Sequence, residues 1–434
     1  MALSGIAVAE AEMMETLISK IDHKLGALST DTSYISCIYR VPDKPLKANE
    51  AAYTPRLVSL GPLHRERGQL QGMESYKLRC LRNFLNRSTV GLDELVKFVA
   101  ERESYIREHY EDTINLNQEQ FTEMFLLDGI FVIELFLKKH FVELREGREA
   151  LFENRWMRSD LLHDMLLLEN QLPMRVITDL FNFVNPSLLN GITLHNLAHE
   201  FFKDVGNTVK LQLTDDCYHA RHFVEFLLFL HSPIRDPKDR PLFQATKFEN
   251  TRGATELQQA GVKFRRAEES CLFNVVFNRG ELTLPSLIVN DLTETFFRNL
   301  IAFEHCGYYS KDITSYVIFM DNLINTHDDV DLLVKDEIIK NELGESKAVA
   351  ELFNNLYKEV VTETDEFYFA ELCEKLNAYS SDPFHEFKAK WFRWTRIAKR
   401  DYFSTPWSVI SLLAASVLLI LTVIQTVWSI LWIK

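Results

Sequence analysis

The residues best typed for chemistry are histidines at helical spacing. His195 and His199 stand four apart in His-Asn-Leu-Ala-His-Glu, so a helix would bring both imidazoles to one face, where they could hold a metal ion. The pattern is not HExxH. No glutamate lies between the histidines to activate a metal-bound water, and no third ligand follows at a usable spacing. His219 and His222 form a second, looser pair. Both pairs read as ordinary helix histidines, and no metal site is predicted. The six cysteines, Cys37, Cys80, Cys217, Cys271, Cys306 and Cys373, contain no CxxC pair and read as reduced cytosolic thiols. His305 adjoins Cys306, but adjacency in sequence does not set an imidazole nitrogen against a sulfur. Asp160 and Asp164 lie one helical turn apart, a spacing that serves general acid–base catalysis and, more often, caps and solvated faces.

Nucleophile and phosphate motifs are missing. The chain has no G-x-S-x-G elbow, no G-x-x-x-x-G-K-[ST] loop and no G-x-G-x-x-G turn, and its 15 glycines are few for phosphate cradles. No catalytic, cofactor-binding or metal residue is assigned, no cofactor is expected, and the protein is not expected to be an enzyme.

Two stretches are more distinctive. Residues 161–173 read LLHDMLLLENQLP, which resembles the D-x-x-L-L-E-N-Q-L-P hallmark of the plant family called domain of unknown function 247. Upstream, Ile38-Tyr39-Arg40-Val41-Pro42 and the run AYTPRLVSLGPLH at 52–64 are similar to that family's V-P … Y-x-P-x-x-V-S-I-G-P-x-H block, continued by Met73-Glu74-Ser75-Tyr76-Lys77. Residues 254–257, 284–291 and 298–304 and the apolar terminus also match later blocks. Leu60 replaces the usual isoleucine, and Met174 and Arg175 stand where apolar or aromatic residues are usual. The resemblance runs from about residue 34 to the end. It implies a mainly helical plant protein attached to a membrane, without assigned activity, some grass relatives being linked to self-incompatibility recognition.

Read physically, Glu169, Asn170 and Gln171 are three consecutive polar side chains between Leu168 and Leu172, so at least one must point inward. A buried amide or carboxylate left unpaired costs about 1–3 kcal/mol, so a hydrogen-bond network with backbone groups or with an arginine such as Arg298 or Arg56 is expected. The cluster admits two readings, a structural buckle and a ligand site; the buckle is preferred. Pro173 should kink or restart the helix. Pro42, Pro55, Gly61 and Pro62 dictate an extended, turning segment that wraps a core.

These residues must be carried by a mainly helical scaffold. Residues 121–143 are apolar round most of the helix circumference, as in a central core helix. Glu123, Asp128, Glu134, Lys138 and Lys139 argue against a membrane span there, since a charge near the bilayer centre costs about 3 kcal/mol. Periodicity predicts further helices at 6–27, 74–87, 92–110, 157–183, 192–203, 217–230, 291–305, 313–325, 328–340, 346–361 and 366–379. Runs at 271–277 and 281–289 flank Asn278-Arg279-Gly280 and predict a hairpin, with Lys263-Phe264-Arg265 as a third strand and Pro285 at an edge or bulge. RDPKDRP at 235–241 reads as an exposed loop.

The terminus behaves differently. No charged side chain occurs from 402 to 433, and 407–428 is long enough as a helix to cross a hydrocarbon core about 30 Å thick. Trp407, Trp428 and Trp432 suit the lipid–water boundaries. Lys388, Lys390, Arg393, Arg396, Lys399 and Arg400 precede the run and only Lys434 follows, which places the large N-terminal part in the cytosol. The first residues carry Glu10, Glu12 and Glu15 without a basic n-region, unlike a secretory signal. A single-pass, tail-anchored protein of the plasma membrane or endoplasmic reticulum is expected, contacting lipid through residues 402–433.

Composition fits this division. Among 434 residues, 47% hydrophobic and 12% aromatic content points to a densely packed body, and a net charge of −14 disfavours nucleic acid as a partner. The predicted organisation is an N-terminal helical extension (1–33), a cytosolic mainly helical domain with a small β-hairpin or short sheet (34–385), a basic and aromatic juxtamembrane segment (386–401) and a transmembrane anchor (402–434). Membrane-tethered recognition of another protein is the leading function. A hydrolase or transferase with an unrecognised site around His64, Glu169, Asn170 or Glu304 is one alternative, and a lipid-binding protein using residues 391–400 is another.

Overall fold

A helix that is apolar on every side has to be surrounded, and in the computed structural model Gln118–His140 is. Asn117 caps its first turn through the Gln120 amide, and buried side chains run almost unbroken from Phe121 to Lys138. The structure describes residues 14, 16–22, 36–147, 149–184, 191–203, 205–206, 211–233, 250–268, 271–307, 309–356, 358, 367–381 and 406–432. The longer helices are α1 (Glu74–Arg87), α2 (Leu92–Ala100), α3 (Gln118–His140), α4 (Arg155–Met165), α5 (Met174–Val184), α6 (Leu194–Phe201), α7 (Phe223–His231), α8 (Thr293–Cys306), α9 (Asp312–Leu323), α10 (His327–Lys335), α11 (Ser346–Leu356), α12 (Ala370–Ser380) and α13 (Pro406–Trp432). Helices α1, α2, α5 and α6 pack on α3, while α8, α9, α10 and α11 form a second layer joined to the first through α7. One continuous apolar core runs through both.

The charges on α3 confirm it as a core helix, because each buried one has a partner from a neighbouring segment. Asp128 meets Lys77 at 2.6 Å, Glu134 meets Arg87, and Lys138 meets Glu149 at 2.8 Å. Unpaired, any of them would be costly to bury.

Small sheets complete the body. β1 (Lys263–Arg266) lies parallel to β3 (Glu281–Leu284), which pairs antiparallel with β2 (Val276–Asn278), giving the order β1-β3-β2. The hairpin turn is Arg279-Gly280, with φ of 49° and 80°, the pair of positive angles that a two-residue hairpin turn requires. The predicted third strand is therefore present, but the hairpin is shorter than the pattern indicated. Pro285 ends β3, and β4 (Leu287–Val289) pairs in parallel with β5 (Ile339–Asn341) instead.

Several predicted helices are shortened for identifiable reasons. The span 157–183 is two helices, α4 and α5, separated by the loop 166–173 that ends at Pro173. The span 92–110 divides into α2 and a short helix, Glu103–Arg107. The span 328–340 stops at Lys335, where Glu337 takes φ of 58° and the chain turns into β5. Residues 14 and 16–22 are helical and exposed. The rest of the predicted 6–27 helix, the 235–241 loop and the juxtamembrane segment 386–401 lie outside the described residues.

The terminal helix α13 spans Pro406–Trp432. Among the described residues no helix is long and apolar enough to cross a membrane. In α13 the contiguous described side chains run from 414 to 428, all exposed. The transmembrane anchor expected over 402–434 therefore does not follow from the described residues.

Candidate functional site

Between α4 and α5 the chain makes a tight loop, and its polar side chains turn inward to bind main-chain groups. Gln171 is wholly buried. Its Nε2 donates to the carbonyl of Met165 (2.9 Å), the last residue of α4, and to that of Leu167 (2.8 Å) just past it, while its Oε1 accepts from the Phe223 amide at the start of α7. Asn170 accepts from the Leu60 amide (2.8 Å) and donates to the carbonyls of Val58 and Asp164. Glu169 accepts from the Val41 amide (2.9 Å) and from Arg40 (2.7 Å). All three residues are buried, so the expectation that at least one points inward is exceeded. The cation is Arg40, not Arg298 or Arg56. Arg298 instead binds Glu294 and the Asn355 carbonyl, and Arg56 faces Asp160 at 3.7 Å.

Asp164, also wholly buried, holds the second strand of this clasp. Its two oxygens accept from three successive amides, Arg56 at 2.8 Å, Leu57 at 2.7 Å and Val58 at 2.7 Å. Contrary to expectation, the early proline block is not extended throughout: Pro42 opens a short helix, Asp43–Ala48, and a 3-10 turn follows at Glu50–Ala52. Only the stretch from Pro55 to Gly61 lacks such internal bonds, and the loop's carboxylates and amides satisfy its amides instead. Asp160 and Asp164 thus have unlike roles: one faces Arg56 at the surface, the other is sealed in.

The clasp closes at Gly61. Its amide donates to Asp128 (2.8 Å), and Tyr110 donates to the Gln171 carbonyl beside it (3.0 Å). Gly61 has φ of 74°, and a Cβ there would lie 2.8 Å from the Tyr110 hydroxyl and 2.9 Å from the Gln171 carbonyl. Gly61→Ala is expected to cost about 2–4 kcal/mol, combining a left-handed backbone with two close contacts. Denaturant unfolding of Gly61→Ala alone and with Tyr110→Phe checks this. The double variant should recover little, because the Gln171 carbonyl stays in place.

Glu304 caps α9 from within α8. It accepts from the amides of Ile313 (2.8 Å) and Thr314 (2.9 Å) and from the Thr314 hydroxyl. Burial, with Asp312 nearby, pushes its carboxyl from 4.5 up to about 8 despite these donors. The folded state then binds the proton more tightly than the unfolded chain, so this group's stabilisation is full below about 4.5 and is lost as pH rises to about 8. Glu304→Gln, which does not titrate, should be less stable than the parent at pH 5. The gap should narrow toward pH 8 by at most about 1.4 kcal/mol per pH unit. Unfolding of both proteins across that range tests it; a constant gap would exclude a raised carboxyl.

The remaining candidates do not assemble a reactive centre. His64 is 4% exposed, its Nε2 has no hydrogen-bond partner among the described residues, and the Glu169 carboxylate stands 3.6 Å away. Burial, helped by Arg67 and Arg40, holds its imidazole down at about 3, so it is neutral near pH 7 and poorly basic. His195 packs against Tyr218 and Phe226, and His199 binds the Leu211 carbonyl. His222 bonds the Cys37 carbonyl and accepts the Glu225 amide, capping α7. Among the described residues no group of three or more His, Cys, Asp or Glu could hold a metal. Cys306 is pushed up to about 11 by burial and its thiol points at the Arg40 carbonyl, while His305 is held down at about 4. Neither member is in the ionisation state that a thiolate–imidazolium pair needs.

Spacing does not reveal the partners that close the loop. Arg40 lies 129 residues from Glu169, Tyr110 61 residues from Gln171, and Asn299, which accepts from the Leu168 amide, 131 residues from it. The signal available was that Arg40 and Asn299 sit in separate distinctive blocks of the sequence.

The profile of the family described as plant protein of unknown function, DUF247, matches residues 38–421, and the chain belongs to that family. Among curated proteins it is 30% identical over 426 residues to the UPF0481 protein At3g47200 of Arabidopsis thaliana, covering 91% of this chain and 86% of the relative. It is 24% identical over 486 residues to the putative UPF0481 protein At3g02645 of the same plant, covering 89% of each. No solved structure matches significantly.

Proposed function

We propose that this member of the plant DUF247 family is a membrane-tethered protein whose cytosolic helical body recognises another protein and catalyses no reaction of its own. One observation carries the non-catalytic reading. Asp164, Glu169, Asn170, Gln171 and Glu304, the polar side chains that sequence marks most strongly, are buried and engaged by partners inside the fold. A substrate would have to displace bonds that hold the chain together. Asp164, Glu169 and Asn170 fasten the proline-rich segment to the helical layers, Gln171 joins the end of α4 to the start of α7, and Glu304 caps α9.

The tether rests on α13. The support is in the sequence: no charged side chain occurs from 402 to 433, and such a run, if helical throughout in lipid, would exceed the ~30 Å of hydrocarbon to be crossed. The described apolar side chains from 414 to 428 are exposed, so the body does not cover them. The basic residues between 388 and 400, with only Lys434 beyond the run, support a cytosolic orientation of the body.

Resistance of the full-length protein to alkaline carbonate extraction, with its body digested by protease added outside right-side-in microsomes, tests the tether; extraction into the supernatant defeats it. Proximity labelling from the full-length chain tests recognition. The expected result is an enriched partner that is lost on surface substitution. A turnover abolished by Glu169→Gln at unchanged Tm would instead restore the enzyme reading.

A further inference from the structure

Trp156 has the greatest exposure of any large apolar side chain among the described residues, 83%, in a body that buries most of its aromatics. It stands in the first turn of α4, where its amide is held by the Asn154 side chain at 2.9 Å, so the indole projects from a fixed position. Arg155 and Arg158 flank it, both exposed. Among the described residues neither has an ion pair or side-chain hydrogen bond. Residues 155, 156 and 158 stand in the exposed first turn of α4, whose later turns enter the core through Leu161, His163, Asp164 and Met165.

An exposed indole costs hydration free energy that nothing among the described residues offsets, and the two guanidinium groups beside it give this turn a positive charge on a chain of net charge −14. An indole between cations matches the interfacial zone of an anionic bilayer, where the ring sits at headgroup depth and arginines meet phosphate and carboxylate. The juxtamembrane run Trp391-Phe392-Arg393-Trp394-Thr395-Arg396 repeats this mixture of residue types. We propose that Arg155, Trp156 and Arg158 form a second membrane contact, docking the body on a leaflet rich in anionic lipid. This rests on the tethered reading above. A tether limits distance but not orientation, whereas a second contact on an otherwise acidic body would select which face is turned toward the cytosol.

The experiment uses full-length protein in vesicles of phosphatidylcholine alone or with about 30% phosphatidylserine, in each case with brominated acyl chains that quench nearby indoles. Subtracting the emission of Trp156→Phe isolates the Trp156 component, and the indoles of α13 report independently on insertion. The Trp156 component should be quenched in the anionic vesicles and largely spared in the neutral ones. Arg155→Glu/Arg158→Glu should abolish that difference, since two cations at an anionic surface shift the docked population by about thirty-fold. Quenching of the anchor indoles without any Trp156 component would overturn the docking while leaving the tether intact; so would equal quenching in both vesicles, or protection of Trp156 by an added protein in neutral vesicles. Loss of all quenching would defeat the tether itself. Unchanged denaturant midpoints for the variants would show that the fold is retained.

Discussion

Alanine at Asp164 is expected to lower the unfolding free energy by about 3–5 kcal/mol, a large share of what a folded domain possesses. The substitution deprives three amides at once, those of Arg56, Leu57 and Val58, and the last is fully buried. Each buried donor left without a partner costs about 1–3 kcal/mol, discounted at Arg56 and Leu57 by access to water. Asparagine should fall between, because one of its two positions presents an NH2 group to amides that need an acceptor. Asp160→Ala is the matched control: same residue type, one turn away, but part-exposed and 3.7 Å from Arg56, so about 0–1 kcal/mol is expected. Denaturant midpoints of the detergent-solubilised chain, at unchanged slope, give the comparison. A stable Asp164→Ala protein that had lost only its partner would show that the residue recognises rather than fastens.

That contrast shows what was legible in the sequence. The helical class, the central helix and the third strand follow from apolar periodicity, and the irregular stretch 55–61 follows from its prolines, whereas the short helix after Pro42 does not. The inward turn of Glu169, Asn170 and Gln171 follows from their apolar neighbours. That they would bind backbone follows too; which backbone groups they meet does not. Loop side chains bind backbone amides and carbonyls, which every residue carries, so residue type leaves no trace of the partner. Arg40 was chosen over Arg298 and Arg56 by the path of the extended segment, fixed only when Asp164, Asn170 and Asp128 have bound it. The split of 157–183 had its signal in Pro173, but the loop begins at residue 166, where Gln171 takes over the end of α4. The shortened 328–340 helix has no comparable mark: it ends because parallel pairing with β4 claims residues 339–341.

The second large effect is expected at Lys77. Its ammonium is buried against Asp128 (2.6 Å), Glu74 (2.6 Å) and the Ser59 carbonyl (2.7 Å), so one side chain ties α1 to α3 and to the proline-rich wrap. Methionine fills similar volume but leaves Asp128 as a buried carboxylate whose remaining donor is the Gly61 amide, and the loss should be about 3–5 kcal/mol. Burial already raises the Asp128 carboxyl above the usual aspartate value with Lys77 present. Without the cation it rises further. A raised folded-state value means proton uptake on folding, so the penalty of Lys77→Met should shrink as pH falls and Asp128 becomes neutral. Asp128→Asn removes the charge while keeping an acceptor for Gly61. The double variant should therefore be less damaged than the sum of the singles by about 2–3 kcal/mol. Additive singles, or a Lys77→Met penalty independent of pH, would mean that packing at this junction outweighs its charges. The wrap would then be held by the α4–α5 loop alone.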